Sequence, residues 1–456
     1  MLNKNNKEKK IIYRLTKNYI FPYKLNIFFA LSMMVISAAA TGLHAWLVRP
    51  ALDIVLINGD RTMLFIIPLA IIFTTLCKGI ATYLHSFQMS KVSHMIIATL
   101  QSEMFDKLML FNLKFFIDSK TGNLISRLIN DTYFLRMAII KSVTGVIKDS
   151  LVIFFLIANM FYQSWELTIF ALFIFPIALW PIRKIGKGIR KITYAIQNEI
   201  AVFSNVLGES IKGIRQVKAY NRESYEINRA HSTISKIKNY FIKSSFISNR
   251  LTPIMEFIGS LAVALSIYAG GVFVLNESMS TGQFMSFLVS LLLAYQPIKA
   301  LANLNISIQE GLSSTERIFE LLDTNEESQE KDDNIDELKI ENGKIELKNI
   351  TFSYSDTKIL TNLDLHIPAG KKVALVGLSG SGKSTIINLI LRFFDLKSGK
   401  ILIDNQDISL FKLGSLRKKI SLVTQESILF NDTIESNIKY GKLEANLLEI
   451  ENAAKE

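Results

Sequence analysis

Six long apolar stretches constrain the fold of this chain more than any other feature of its 456 residues. The first, residues 25–48, contains no Asp, Glu, Lys or Arg, and as a helix it would be roughly 36 Å long. The hydrocarbon core of a bilayer is about 30 Å thick, so such a helix spans it with some tilt. The six stretches predict an all-α membrane domain over residues 1–322, with spans at about 25–48, 63–87, 139–162, 167–182, 253–275 and 284–304.

The basic residues give the orientation of these spans. The surplus of +12 lies mainly before the first span and between the fourth and fifth, whereas the connection between the fifth and sixth carries Glu277 and no basic residue. Lys and Arg accumulate on the cytoplasmic side of a membrane. The N-terminus and everything after the sixth span are therefore predicted to be cytoplasmic. Because the basic residues follow the membrane topology, they do not indicate a nucleic-acid partner.

The two cytoplasmic connections, residues 89–138 and 183–250, are long and have few Gly or Pro residues. Apolar residues recur in them at helical spacing, as in Ile200, Phe203 and Val206. The spans are therefore predicted to continue as helices into the cytoplasm, interrupted by short turns near 118–122 and 220–223.

A second domain is predicted after an acidic linker at 323–343. Residues 345–350 alternate between apolar and polar side chains, as a strand does, and residues 372–376 read as a short buried strand. A helix-like apolar pattern begins at Ile386. The segment between this second strand and the helix carries the strongest motif of the chain.

Gly377, Gly382, Lys383 and Ser384 match the pattern G-x-x-x-x-G-K-[ST] without substitution. Glycines allow backbone N–H groups to surround an anionic phosphate, and the following helix N-terminus adds its dipole. The Lys383 ammonium is expected to reach the β- and γ-phosphates, and the Ser384 hydroxyl is expected to bind Mg²⁺. ATP and Mg²⁺ are therefore the predicted cofactors.

These motifs and several others resemble the ATP-binding cassette (ABC) exporters that carry a membrane domain and a nucleotide-binding domain on one chain, most closely the bacterial lipid A exporters of the MsbA type. The resemblance covers essentially the whole chain and rests on the phosphate loop and on segments 115–118, 121–127, 296–299, 352–354, 422–425 and 429–434. It implies a six-helix membrane domain of the type I exporter class, followed by a partial α/β P-loop domain over 344–456.

The resemblance also implies roles for single residues. Tyr354 corresponds to the aromatic residue that stacks on adenine, and Gln425 to the glutamine that senses Mg²⁺ and the γ-phosphate and contributes to catalysis. The turns near 115–122 and 213–223 correspond to coupling helices, the second of which docks on a partner subunit in an intertwined homodimer. The triphosphate cradle comprises Gly377, Ser379, Gly380, Ser381, Gly382, Lys383, Ser384 and Thr385.

Three lysines, Lys78, Lys148 and Lys299, lie in or at the inner ends of spans two, three and six. A charge at such depth is costly unless it faces a partner or a wet cavity. Two interpretations are open. The lysines bind phosphates of a glycolipid headgroup, as the resemblance implies, or they extend to the cytoplasmic interface.

Three parts of a complete cassette do not occur in the sequence: a Leu-Ser-Gly-Gly-Gln-type signature, the Walker B strand ending in Asp-Glu, and a switch histidine. The chain is therefore expected to be a fragment or a truncated product. The main hypothesis is an ATP-driven homodimeric exporter that moves lipid A or a related lipid across the inner membrane. The alternatives are a multidrug or peptide exporter, and an ATP-binding membrane protein that does not hydrolyse ATP.

Overall fold

A computed structural model describes residues 2–119, 121–324, 336–354, 358–378, 380–425 and 428–456. The chain divides into two compact units, one formed by Met1–Phe105 with Ile125–Asp323 and the other by Asp106–Leu124 with Thr324–Glu456. The first unit is helical and the second combines a sheet with short helices. This is the predicted fold class.

Long helices dominate the first unit. Several are continuous with π-helical turns at Leu15–Ile20, Ala51–Ile57, Arg127–Asp131 and Ser142–Asp149. The α-helices are α1 (Leu2–Arg14), α2 (Lys24–Pro50), α3 (Arg61–Met109), α4 (Leu113–Asp118), α5 (Thr121–Ser126), α6 (Thr132–Lys141), α7 (Ser150–Gln163), α8 (Trp165–Lys212), α9 (Ile214–Ala219), α10 (Glu223–Ser248), α11 (Leu251–Leu275) and α12 (Thr281–Leu322). The end of α3, all of α4 and the first four residues of α5 belong to the second unit.

Five helical segments of the described part are long and apolar enough to cross a membrane, namely Asn6–Ile57, Arg61–Met109, Thr121–Gln163, Glu223–Leu275 and Thr281–Leu301. The predicted fourth span, 167–182, lies within α8, where the side chains of residues 174–180 and 182 are outside the described residues. α3 and α8 have 49 and 48 residues, roughly twice the length that a bilayer requires.

A buried polar network joins α2, α7 and α12. The Asn159 amide donates to the hydroxyls of Ser286 and Ser290 at 3.2 and 2.7 Å, and the Gln163 amide donates to Asn159 Oδ1 at 3.1 Å. The Ser286 hydroxyl donates to the Ala45 carbonyl at 2.7 Å. A polar group in an apolar interior must find a partner, and these residues satisfy one another.

Beyond this network, the end of the bundle is closed by Asp53. Its carboxylate accepts from the Ser280 hydroxyl at 2.5 Å and from the Gly282 N–H at 2.8 Å, at the N-terminus of α12. The Arg49 guanidinium donates to Gln163 Oε1 at 3.4 Å and lies 3.9 Å from Asp53. The end of α2 and the turn that follows it are therefore held to α7 and α12 by polar contacts.

At the other end of α12, the Arg317 guanidinium forms a two-point ion pair with Asp131, whose residue is only 5% exposed. We expect Asp131→Ala to lower the unfolding temperature of the first unit by roughly 4 °C. Removing one partner of a buried pair strongly lowers the free energy of unfolding. Because the Arg317 side chain is 41% exposed, we expect a loss of only about 2 kcal/mol. Thermal unfolding in detergent micelles measures the shift. Glu209→Gln, which breaks the exposed pair with Arg229, is the control. A shift no larger than that of the control would contradict the prediction.

The second unit contains an antiparallel sheet in the order β2-β1-β3-β4. Its elements are β1 (Ile345–Phe352), β2 (Leu360–Ile367), α13 (Lys383–Ile390), β3 (Ser398–Ile403), β4 (Gln406–Asp407), α14 (Leu413–Arg417), α15 (Ile434–Lys439) and α16 (Leu447–Lys455). Leu347, Ile350 and Phe352 of β1 form the core with apolar residues of β2, β3 and α13. Leu113 of α4 packs against the same core.

The strand predicted at 345–350 is present but has an irregular register. Pairing with β2 shifts after Leu347 and pairing with β3 shifts after Lys348, and between them and the next pairs Asn349 takes a φ of 52°. Opposite this shift, a Cβ on Gly399 would lie 2.5 Å from the Asn349 carbonyl oxygen, so only glycine fits. The buried strand predicted at 372–376 is wrong, because this segment pairs with no described strand and Val376 is 93% exposed. A strand needs neighbouring strands to satisfy its backbone.

Asp404 follows β3 and fixes the turn before β1. Its carboxylate accepts from the N–H groups of residues 341–344 at 2.8–3.1 Å. These hydrogen bonds, that of Gly343 above all, lower the pKa of Asp404 to about 2. The carboxylate is therefore stabilising above its unfolded pKa near 4, and this contribution is lost as the pH falls towards 2.

We expect Asp404→Asn to speed hydrogen exchange of the four amides of 341–344 by roughly tenfold at pH 6, because charged hydrogen bonds become neutral ones. Exchange mass spectrometry on the full chain measures this. Asp407→Asn is the control, because Asp407 accepts from Ser409 instead. Unchanged protection of 341–344 in Asp404→Asn would contradict the assignment.

Candidate nucleotide site and membrane cluster

The phosphate loop is shaped by glycines at positions where other residues would be strained. Gly380 and Gly382 have φ values of +84° and +90°. A Cβ at Gly382 would lie 2.7 Å from Leu360 Cδ2, whereas a Cβ at Gly380 would meet open space. Gly382 therefore packs against β2, and Gly380 leaves its backbone exposed where a ligand can approach. Ser379 lies outside the described residues.

Lys383 and Ser384 begin α13, directly after this loop. The Lys383 ammonium donates to the carbonyls of Gly377 and Leu378 at 2.9 and 2.7 Å and lies 3.4 Å from Ser381 Oγ. The side chain thus folds back into the loop, and its positive charge lies among carbonyl oxygens. Ser384 is exposed and its hydroxyl is accessible, whereas Thr385 is buried.

Tyr354 contacts the helix of the phosphate loop. Its hydroxyl donates to Thr385 Oγ1 at 3.3 Å and accepts from the Asn388 amide at 3.4 Å. Its ring lies 5.0 Å from that of Phe352 and 4.9 Å from that of Phe394, at nearly perpendicular angles. The structure therefore brings Tyr354 and Thr385 together. Gln425 is exposed and forms no hydrogen bond with the described residues. Its role beside the phosphate loop therefore stays a prediction.

In the membrane unit, the three predicted substrate lysines lie on three different helical elements. The charges of Lys78 on α3 and Lys148 on the π-helical turn before α7 interact electrostatically. On α12, the Lys299 ammonium donates to Thr252 Oγ1 at 3.4 Å and lies 6.0 Å from the Tyr295 ring centre. Lys78 and Lys148 therefore lie within electrostatic range of each other.

Two histidines, which were not among the residues predicted from the sequence, lie within electrostatic range of these two lysines. His44 interacts electrostatically with Lys78, and His85 with Lys148. His85 is 2% exposed, and its Nε2 has no hydrogen-bond partner among the described residues. Their spacing in the sequence could have indicated one of them. His85 follows Lys78 by seven residues on α3, so the two side chains share a helix face.

Comparison with known proteins now decides the family. The ABC transporter transmembrane region matches residues 27–298, and the ABC transporter domain matches residues 360–456. The chain belongs to the ABC transporter family. The predicted resemblance is thereby confirmed.

Three curated relatives of this ABC transporter carry the name ATP-dependent lipid A-core flippase. The protein of Desulfotalea psychrophila is 39% identical over 98% of this chain and 78% of its own length. That of Syntrophus aciditrophicus is 38% identical over 94% and 71%, respectively. That of Escherichia coli K12 is 33% identical over 96% and 75%. The similarity therefore extends through both units.

Family membership implies that this ABC transporter binds ATP and is a multi-pass membrane protein. The residues of the loop fit a nucleotide. The open backbone at Gly380 can approach phosphates, and Lys383 supplies a positive charge. The exposed Ser384 hydroxyl is the kind of oxygen ligand that Mg²⁺ accepts.

Proposed function

We propose that this ABC transporter uses ATP to move lipid A, or a closely related anionic glycolipid, from the cytoplasmic to the outer leaflet of the inner membrane. The observation that carries the proposal is the similarity of both units to relatives named ATP-dependent lipid A-core flippase, and it is supported by Lys78 and Lys148, two partly buried lysines in helical segments apolar enough to cross a membrane. An ammonium group at membrane depth is costly unless it faces a partner or a wet cavity. A lipid that carries phosphates provides such a partner, and a purely hydrophobic drug does not.

The nucleotide site has the following proposed roles. The backbone of Gly377, Gly380 and Gly382, with Ser381 and Thr385, surrounds the phosphates, and Lys383 turns from the loop carbonyls to the β- and γ-phosphates. Ser384 and Gln425 hold Mg²⁺, which when bound neutralises phosphate charge. Tyr354 contacts the adenine, and the Thr385 bond to its hydroxyl keeps the ring beside α13.

The domain organisation is part of the proposal. The membrane domain ends at about 322, the linker covers 323–343, and the N-terminus and the nucleotide-binding domain are cytoplasmic. The short helices α4 and α9 lie where coupling helices were expected, and Leu113 of α4 packs against the core of the nucleotide unit. In this proposal, α4 moves with the nucleotide unit, and α3 and α5 flank it in the chain. The active form is a homodimer, in which α9 contacts the partner subunit.

Transport in proteoliposomes tests the proposal. The protein, purified from its own membrane, is reconstituted with fluorescent lipid A, and the leaflet of the label is read from its quenching by an added reductant. We expect ATP to accelerate movement of lipid A, and removal of its phosphates to abolish most of this effect. ATP-dependent movement of a hydrophobic cation but not of lipid A would favour a multidrug exporter. Nucleotide binding with no turnover would favour a non-hydrolysing membrane protein.

A further inference from the structure

The N-terminal segment, residues 7–24, has two faces with different contacts. One face is buried: Ile11, Leu15 and Tyr19 recur every four residues and are each less than 10% exposed. The Tyr19 ring stacks on Phe319 of α12 with centroids 6.0 Å apart, and its hydroxyl donates to Glu103 of α3 at 2.6 Å. This face therefore fixes the segment to the cytoplasmic parts of two long helices.

Ion pairs strengthen the attachment at the end of α12. The Arg14 guanidinium donates to both carboxylate oxygens of Asp323 at 2.8 and 2.7 Å and lies 4.3 Å from the Phe319 ring centre. The Lys7 ammonium lies 2.5 Å from Glu316. Both basic residues are thus paired with carboxylates of α12 or the residue that follows it.

The opposite face is exposed and combines basic with aromatic residues at helical spacing. It consists of Lys10, Tyr13, Lys17, Phe21 and Lys24, which we call the basic–aromatic face. Tyr13 and Phe21 are 65% and 60% exposed. The Lys17 ammonium lies 5.7 Å from the Tyr13 ring centre, and that of Lys24 lies 5.0 Å from the Phe21 ring centre. Acidic side chains make no ion pair with these three lysines in the described part of the chain.

The position of this face identifies its partner. Lys24 is the first residue of α2, whose apolar part begins at Leu25, so the face lies directly next to a membrane-spanning helix. Lysines beside a span attract anionic lipids of the cytoplasmic leaflet, and aromatic rings favour the headgroup level. A soluble acidic protein would not need exposed aromatic rings in this register.

We propose that the basic–aromatic face binds the headgroups of anionic phospholipids in the cytoplasmic leaflet, outside the path of the transported lipid. Because the opposite face holds α3 and the end of α12, bound phospholipid also stabilises these two helices against each other. The role is independent of the transported substrate.

Native mass spectrometry of the full chain with phosphatidylglycerol tests the proposal. The variant Lys10→Gln/Lys17→Gln/Lys24→Gln removes three charges from the face. The matched control Lys212→Gln/Lys236→Gln/Lys238→Gln removes three exposed lysines from the cytoplasmic helices α8 and α10. Each lysine of the face is expected to contribute about fivefold to affinity, so the first variant should lose roughly a hundredfold and the control less than threefold. Equal losses in both variants, or none in the first, would overturn the proposal.

A second measurement reads the surface itself and distinguishes local contact from a general charge effect. Tyr13→Trp introduces a fluorophore, and Trp46, Trp165 and Trp180 are replaced by Phe. Brominated phosphatidylglycerol should quench this fluorophore at least twice as strongly as brominated phosphatidylcholine, and 0.5 M NaCl should remove much of the difference, an ionic strength roughly five times that of ordinary buffer. Equal quenching by the two lipids would overturn the proposal even if lipid A transport is established.

Discussion

Replacing Lys383 with Ala is expected to lower the affinity of the chain for Mg·ATP by about two orders of magnitude. The ammonium lies within the phosphate loop, 2.9 Å from the Gly377 carbonyl and 2.7 Å from that of Leu378. Without a ligand it is held by these carbonyl oxygens, and a phosphate offers it a full negative charge. Loss of one such charged contact costs about 3 kcal/mol, and each 1.4 kcal/mol is a factor of ten.

Equilibrium titration with a fluorescent ATP analogue measures this affinity. Lys372→Ala is the matched control, because Lys372 is an exposed lysine that precedes the loop. We expect its affinity to stay within about twofold of the parent, the range of a surface contact. Exchange protection of β1 amides verifies that both variants are folded. If Lys383→Ala binds Mg·ATP as tightly as Lys372→Ala, the assignment of the phosphate site is wrong.

The second large effect is expected in the membrane cluster. Lys78→Gln/Lys148→Gln should lower the affinity for lipid A by about a hundredfold, because both charges that interact in the cluster are removed. Each single variant should lose about tenfold, since a charged hydrogen bond contributes roughly 1.5–3 kcal/mol. Native mass spectrometry with lipid A measures the affinities.

Two comparisons make this prediction specific. Lys91→Gln removes an exposed lysine from the same helix, α3, and should leave the affinity unchanged. Lipid A without phosphates should bind the double variant and the parent equally. Lys299→Gln should have a smaller effect than either cluster variant, because Lys299 lies beside Thr252 and Tyr295. An undiminished affinity of the double variant for lipid A would exclude the cluster as the headgroup site.

The sequence predicted those features that depend on local pattern. Long apolar stretches predict long helices, and the phosphate-loop motif carries its own backbone requirement at Gly382. The short helices α4 and α9 lie at the predicted turns, because Asn112 provides the N-terminal cap of α4 and Gly213 ends α8.

Features that depend on contacts between residues far apart in the chain could not be predicted from local sequence pattern. The segment 372–376 has the composition of a strand, but pairing decides whether a strand forms. The role of Asp404 depends on four backbone groups some 60 residues earlier in the chain. The contacts of Lys299 with Thr252 and Tyr295 depend on helix packing, which the depth of a residue along its span does not determine.

The polar contacts at the end of α2 have a consequence for how the bundle can open. Asp53 and Arg49 are joined to α12 and α7 by hydrogen bonds and charges, whereas apolar residues such as Ala38, Val152 and Leu156 hold the helices together farther along. Water can replace a hydrogen bond at a net cost of only about 1 kcal/mol, but it cannot replace apolar contact. Separation of α2 from its neighbours is therefore expected to begin at the polar contacts of Asp53 and Arg49. From there it would proceed towards the apolar contacts around Val152 and Leu156.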